Sequence, residues 1–184
     1  MRISLDFDGV LCLTPFGRLA VHALRPVADL PDDYESLYRA PAGRRPLRRI
    51  IEELRFAWRA AAPDAAVMLR ELSRDHELII VTGRSVVGRP IVERWLRRHD
   101  LDPCITDIHM APAGLRPPQH KLAVAKMHAV DAHIDDDPRT AYHLAKHGVR
   151  TYLLDHAGAH GHLPLPDGCS LVRSLAEFAQ AIRA

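Results

Sequence analysis

Four short apolar runs, Ile3 to Phe7, Leu78 to Thr82, Ala132 to Ile134 and Thr151 to Leu154, place the tightest constraint on how this chain can fold. Each is too short for a helix, rich in leucine or β-branched residues, and bounded by polar residues or glycine, the pattern of a strand buried on both faces. Helical patterns lie between them: 65–74 before the second run, 90–98 after it, 118–129 before the third and 139–147 after it. Strands alternating with helices predict an α/β fold, a doubly wound parallel sheet with helices on its faces. A weaker run from Cys104 to Ile108 suggests a further strand. Ser174 to Arg183, with Leu175, Phe178, Ala179 and Ile182 on one face, reads as a closing helix.

The segment from Thr14 to Ala62 interrupts this alternation. Pro15, Pro26, Pro31, Pro41 and Pro46 divide it, and the pieces between them, around Leu19 to Leu24, Asp32 to Arg39 and Leu47 to Ala61, carry helical rather than strand patterns. The last piece puts Leu47, Ile50, Ile51, Leu54 and Trp58 on one stripe. We expect a small helical cap, residues 14–62, inserted into an α/β core formed by residues 1–13 and 63–184. A chain of 184 residues holds one good core plus such an insertion, not two ordinary domains.

Composition excludes several classes. An apolar fraction of 47%, a charged fraction of 26% and a net charge of +2 are those of a globular protein, with no strong attraction to nucleic acid or to a membrane surface. Cys12, Cys104 and Cys169 are far apart and lack CxxC spacing, so reduced thiols are expected rather than a disulfide framework or a zinc knuckle. No apolar stretch approaches the roughly 20 residues that span a bilayer, and a cytoplasmic location is the expectation.

In an open parallel sheet, ligands bind beyond the carboxyl ends of the strands. Those ends carry Asp6 and Asp8, then Thr82-Gly83-Arg84, then Asp135-Asp136-Asp137. Side chains two apart on an extended segment point the same way, so Asp6 and Asp8 converge. Their repulsion and desolvation call for a compensating cation. Hard carboxylate oxygens gathered at one edge suit Mg²⁺, with substrate phosphate and water completing its shell. Gly9 lets the backbone turn close to a ligand.

Four motifs in this order resemble those of the haloacid dehalogenase (HAD) superfamily of phosphohydrolases. They are Asp6-Phe7-Asp8-Gly9, Val81-Thr82-Gly83-Arg84, His120-Lys121-Leu122 and Ile134-Asp135-Asp136-Asp137-Pro138, and the likeness extends over the whole core. It implies a Rossmann-like HAD fold and a Mg²⁺-dependent phosphatase. Asp6 would attack a phosphomonoester to form an aspartyl-phosphate, while Asp8 would protonate the leaving oxygen and then activate water. Thr82 and the Gly83 amide would bind phosphate oxygens. Lys121, in the first turn of a helix started by Pro117-Pro118, would balance phosphate charge and orient Asp6; Lys126 is the rival lysine. Mg²⁺ would be held by Asp6, by the Asp8 carbonyl and by Asp136, with Asp135 behind it or as a co-ligand. Asp137, before Pro138, suits a helix N-cap.

Substrate and branch are less constrained. The motif details are most similar to the deoxyribonucleotidase-like and polynucleotide phosphatase branches, which implies a small phosphorylated substrate, a nucleotide above all. A sugar phosphomutase of the same superfamily and a catalytically silent HAD-like binding domain are the alternatives. Dehalogenases of the superfamily lack the second aspartate of the first motif. His156, His160 and His162 cluster after the fourth run and read first as a glycine-rich loop, then as a pocket wall, and least as a zinc site.

Overall fold

The structure, a computed structural model, describes residues 1–13, 59–112, 114–158 and 160–184. Six strands, β1 (Arg2–Leu5), β2 (Glu77–Ser85), β3 (Asp107–Ala111), β4 (Ala132–Asp135), β5 (Arg150–Leu154) and β6 (Cys169–Val172), form one sheet. Its order is β3-β2-β1-β4-β5-β6 and every pairing is parallel. The α-helices among the described residues are α1 (Ala65–Leu72), α2 (Arg89–Arg98), α3 (Pro117–Met127), α4 (Pro138–Lys146) and α5 (Leu175–Arg183).

Strand alternation distributes the helices over the two faces. Leu78 and Ile80 of β2 join Ile3, Leu5, Ile134, Tyr152 and Leu154 in the larger core cluster, against α1, α2 and α5. Their neighbours Ile79 and Val81 point the other way, onto Val124 and Ala125 of α3 and Leu144 of α4. With both faces covered, the central strands read as continuous apolar runs.

The strand order reverses between β1 and β4, which lie side by side with Leu5 opposite Ile134. Such a switch point opens a crevice at the carboxyl ends of its strands. The chain beyond β1 continues the pairing, since the Asp6 amide donates to the Ile134 carbonyl at 3.0 Å.

Two differences from the sequence expectation have local causes. The weak strand drawn at Cys104 to Ile108 lies instead at Asp107–Ala111, because Asp102–Cys104 forms a 3₁₀ turn around Pro103. Strand β6 went unrecognised because it is four residues long and pairs only with β5, at the sheet edge. Within the expected cap, residues 14–58 lie outside the described residues. The two ends of that segment are tied together: Leu13 donates to the Ala60 carbonyl at 3.0 Å and Ala62 to that of Leu11 at 2.8 Å. All three cysteines are free and buried, and among the described residues no helix is long and apolar enough to cross a membrane.

Phe178 of α5 is fully buried and meets the Tyr152 ring edge-on at 5.0 Å. Phe178→Ala should lower unfolding stability by about 3–5 kcal/mol, read as a shift in urea midpoint at unchanged slope; a loss under about 1 kcal/mol would contradict this packing.

Candidate active site

The site begins at a turn. Leu11 and Cys12 donate to the Phe7 carbonyl at 3.1 and 2.8 Å, closing the loop after β1. Gly9 sits there in the left-handed region, φ +85°, where a side chain is strained. A Cβ at this position would also collide with the Asp136 carboxylate. The turn thus brings the first acidic pair against the acidic run after β4 only because residue 9 has no side chain.

Asp6, Asp135 and Asp136 each present a carboxylate oxygen within 4.8 Å of the others. Lys121 enters this cluster from α3. Its Nζ lies 3.0 Å from Asp6 Oδ1 and donates to Asp135 Oδ2 at 2.7 Å, with all three side chains nearly inaccessible to solvent. Burial alone would lower the Lys121 pKa, but the carboxylates of Asp135 and Asp6 outweigh it and hold the ammonium above the usual lysine range. Burial would likewise raise Asp135, and Lys121 with His133 outweighs it, keeping that carboxyl well below the usual range. Lys121 is the fifth residue of α3, past the first turn where the sequence placed it. Lys126 is exposed near the other end of that helix.

Asp135 is fully engaged. Oδ2 also accepts from His133 Nε2 at 3.0 Å and Oδ1 accepts from the Asp137 amide at 3.0 Å. Burial pushes the His133 pKa down, with Asp135 opposing only in part. Its ring is therefore neutral: Nε2–H donates to Asp135, and Nδ1 accepts from the Ser4 hydroxyl at 2.7 Å. Asp137 is an N-cap, accepting from the Arg139 amide at 3.4 Å and the Thr140 hydroxyl at 2.9 Å.

Asp8 forms a second, distinct electrostatic unit. Arg84 grips it through both oxygens, Nε to Oδ2 at 2.5 Å and Nη2 to Oδ1 at 2.8 Å, and Arg59 Nη1 donates to Oδ1 at 3.1 Å. The Arg84 guanidinium also lies 5.3 Å from the centre of the Phe7 ring. Cys12, beside this group, has its thiol pushed up to about 12 by burial and then by the Asp8 charge, which leaves it protonated. Thr82 is buried at the end of the regular part of β2, where its hydroxyl accepts from the Arg84 amide at 3.3 Å. Strand β2 does not turn at Gly83; it runs on to Ser85 with a register shift against β3. Gly83 rests on Pro117, the first residue of α3, too closely for any Cβ.

The structure brings Asp6, Asp8, Thr82, Gly83, Asp135 and Asp136 to the carboxyl-end side of the sheet, as their positions at strand ends imply, and Lys121 joins Asp6 and Asp135 there from α3. Among the described residues, no group of three ligating side chains includes His156, His160 or His162; Asp155 accepts from the His160 amide at 2.8 Å and organises that loop. The arginine pair on Asp8 and the Ser4–His133 relay escaped sequence reasoning. A signal existed for the relay, because Ser4 and His133 are polar residues within adjacent buried strands and lie opposite each other. For Arg59 there was none, since it is one arginine among many in its segment.

No protein-family model matches the chain, and no curated protein matches its sequence. Solved structures do match over its whole length, and they carry the fold of HAD-superfamily hydrolases. A haloacid dehalogenase-like family hydrolase from Streptococcus pneumoniae superposes with a TM-score of 0.64 at 13% identity, over 98% of this chain and 97% of that one. An L-2-haloacid dehalogenase gives 0.62 at 13% identity, over 100% and 99%. A HAD-superfamily hydrolase of subfamily IA from Geobacter sulfurreducens gives 0.57 at 17% identity, over 98% and 98%. At these identities the likeness establishes the α/β Rossmann-like fold.

The neutral, buried His133 makes a prediction about pH. Its imidazole takes up a proton near pH 6.5 in the unfolded chain, but at a lower pH in the fold. The unfolded state then binds more protons, so stability is lost as pH falls below about 6.5, by up to ~1.4 kcal/mol per pH unit for this one group. His109, His120 and His156 are shifted in the same direction, first by burial. His133→Asn should therefore reduce, without abolishing, the fall in urea midpoint between pH 7 and pH 5; an unchanged slope would contradict a neutral His133.

Proposed function

We propose that the chain is a Mg²⁺-dependent phosphomonoester hydrolase that works through a phosphorylated Asp6 on a nucleotide or similar small phosphorylated metabolite. The observation that carries this reading is the ammonium of Lys121 buried between Asp6 and Asp135 at the strand-order switch, with Asp136 facing the same space. A carboxylate can attack a phosphate only where fixed positive charge offsets their repulsion.

The donor set fits a small hard cation. Asp6 and Asp136 offer carboxylate oxygens to a shared position, and the missing side chain at Gly9 makes room for the Asp136 carboxylate there. Asp6, Asp136 and the Asp8 carbonyl would hold Mg²⁺, whereas Asp135, occupied by Lys121, His133 and the Asp137 amide, holds the lysine. When bound, Mg²⁺ supplies Lewis-acid neutralisation of phosphoryl charge.

The remaining chemistry belongs to the chain. Thr82 and the Gly83 amide bind phosphate oxygens. An oxygen of Asp6 attacks phosphorus, the bond to the leaving oxygen breaks, and Asp8, having exchanged a guanidinium contact for a proton, delivers that proton to the leaving oxygen. Asp8 then takes a proton from water as the water attacks phosphorus, the bond to Asp6 breaks, and phosphate leaves. Lys121 holds Asp6 in line throughout. Some of the similar structures are named as dehalogenases. A halide departs without a proton, whereas an alkoxide needs one, and the second carboxylate at Asp8 favours phosphoryl transfer.

A phosphate-release screen over nucleoside monophosphates, sugar phosphates and small phosphomonoesters tests this. Release should require Mg²⁺, stop with EDTA and vanish in Asp6→Asn; turnover indifferent to EDTA, or retained in that variant, would overturn the reading. Lys121→Met should cost about 10²-fold or more in kcat, and Lys126→Met less than about twofold; the reverse order would contradict the role given to Lys121.

A further inference from the structure

Two polar residues face each other inside the sheet. Ser4 of β1 and His133 of β4 are directly paired, and each is 1% exposed. Their strand neighbours Ile3, Leu5, Ala132 and Ile134 belong to the larger core cluster, so alternation turns Ser4, His133 and Asp135 to the opposite face, which α3 and α4 cover. Polar groups in such a place cost free energy that an apolar pair would not. They form a chain that leads to the site. The Ser4 hydroxyl donates to His133 Nδ1 at 2.7 Å, His133 Nε2–H donates to Asp135 Oδ2 at 3.0 Å, and the same oxygen accepts from Lys121 Nζ at 2.7 Å. The other oxygen of Asp135 accepts from the Asp137 amide at 3.0 Å. Each oxygen of Asp135 thus has its own fixed donor, and the lysine is offered only one of them.

We propose that His133 is a positioning residue for Lys121: with the Asp137 amide it fixes the Asp135 carboxylate so that the ammonium meets one oxygen of Asp135 and stays against Asp6. The terminal torsion of an aspartate is broad and nearly two-fold. Without the His133 donor the carboxylate is free to turn toward the lysine, and in a buried setting the stronger ion pair draws the ammonium off Asp6. Ser4 acts one step further back, because its hydroxyl occupies Nδ1 and keeps the ring proton on Nε2. Lys121 has three N–H donors; Asp135 and Asp6 engage two, and the third is left for a phosphate oxygen. This rests on the phosphatase reading above. The step served is the one in which an oxygen of Asp6 bonds to phosphorus, the bond from phosphorus to the leaving oxygen breaks, and that oxygen takes its proton from Asp8.

A residue that acts through Lys121 matters only while the lysine is there, which separates this role from packing. The probe is kcat for Mg²⁺-dependent phosphate release from 4-nitrophenyl phosphate, for the wild type, His133→Leu, His133→Gln and Ser4→Ala, each also in a Lys121→Met background. His133→Leu should lose about tenfold with Lys121 present and less than about twofold in its absence. His133→Gln, whose amide can donate to Asp135 and accept from Ser4, should recover most of that loss. Ser4→Ala should lose about threefold, with the same dependence on Lys121. Equal losses in the two backgrounds, no recovery in His133→Gln, or no loss in His133→Leu would overturn the proposal and leave the phosphatase reading standing. A wild type that releases no phosphate with Mg²⁺, from this ester or from those of the screen above, would overturn both. A readout independent of activity is ¹⁵N NMR of the histidine rings in the metal-free protein: His133 should carry its proton on Nε2 and lose that preference in Ser4→Ala, whereas a proton on Nδ1 in the wild type would overturn the proposed chain. Urea midpoints identify variants that fail to fold; Lys121→Gln then replaces Lys121→Met as the background, and Ser4→Ala carries the test in place of His133→Leu.

Discussion

The ammonium of Lys121 joins the two halves of the sheet at the point where strand order reverses. Asp6 follows β1, Asp135 ends β4, and Lys121 comes from the helix that packs behind β2; the ion contacts of 3.0 and 2.7 Å put all three in one place. Burying three charges is costly, and such a group is weak evidence for stability. What it secures is geometry. Asp6 cannot leave the end of β1 without abandoning an ammonium that has no solvent to turn to, and the Ser4–His133 pair below fixes the oxygen of Asp135 that the lysine uses.

Around that group the site separates into two electrostatic units. One holds Asp6 through Lys121 and Asp135, with Asp136 set against Gly9. The other holds Asp8 through Arg84 and Arg59. Two carboxylates two residues apart on one chain thus have different partners and, in the mechanism proposed, different tasks: Asp6 meets phosphorus and Asp8 meets the leaving oxygen. Phe7, between them in the sequence, is buried against Trp95 on one side and lies beneath the Arg84 guanidinium on the other. Through Arg59, the second unit is also tied to the end of the segment that connects β1 to the rest of the core.

Much of this was legible because the relevant signals are local. Asp6, Thr82 and Asp135 follow apolar runs, and a parallel sheet sends the ends of such runs to one edge; Asp137 before Pro138 announces a helix cap. Lys121 was legible by its place beside the prolines of α3 but not in detail, because its partners come from other strands. Arg59 and Arg84 were opaque as partners of Asp8 for the same reason. Arg84 lies near the end of β2, seventy-six residues after Asp8, and nothing in an arginine-rich sequence distinguishes one guanidinium from the next until the fold brings a carboxylate to it. Strand β3 was misplaced because apolar character begins at Cys104, whereas the Pro103 turn delays entry into the sheet until Asp107.

The central claim is that Asp6 becomes covalently bonded to phosphorus during turnover. Acid quenching of the wild-type protein in a single turnover with Mg²⁺ and a phosphomonoester, followed by mass spectrometry of the peptide containing Asp6, tests it directly. The account predicts one added phosphoryl group on Asp6 that appears and decays within the turnover and is absent in Asp6→Asn. Phosphate release with no modification of Asp6 at any quench time, or with the phosphoryl group on another residue, would contradict it.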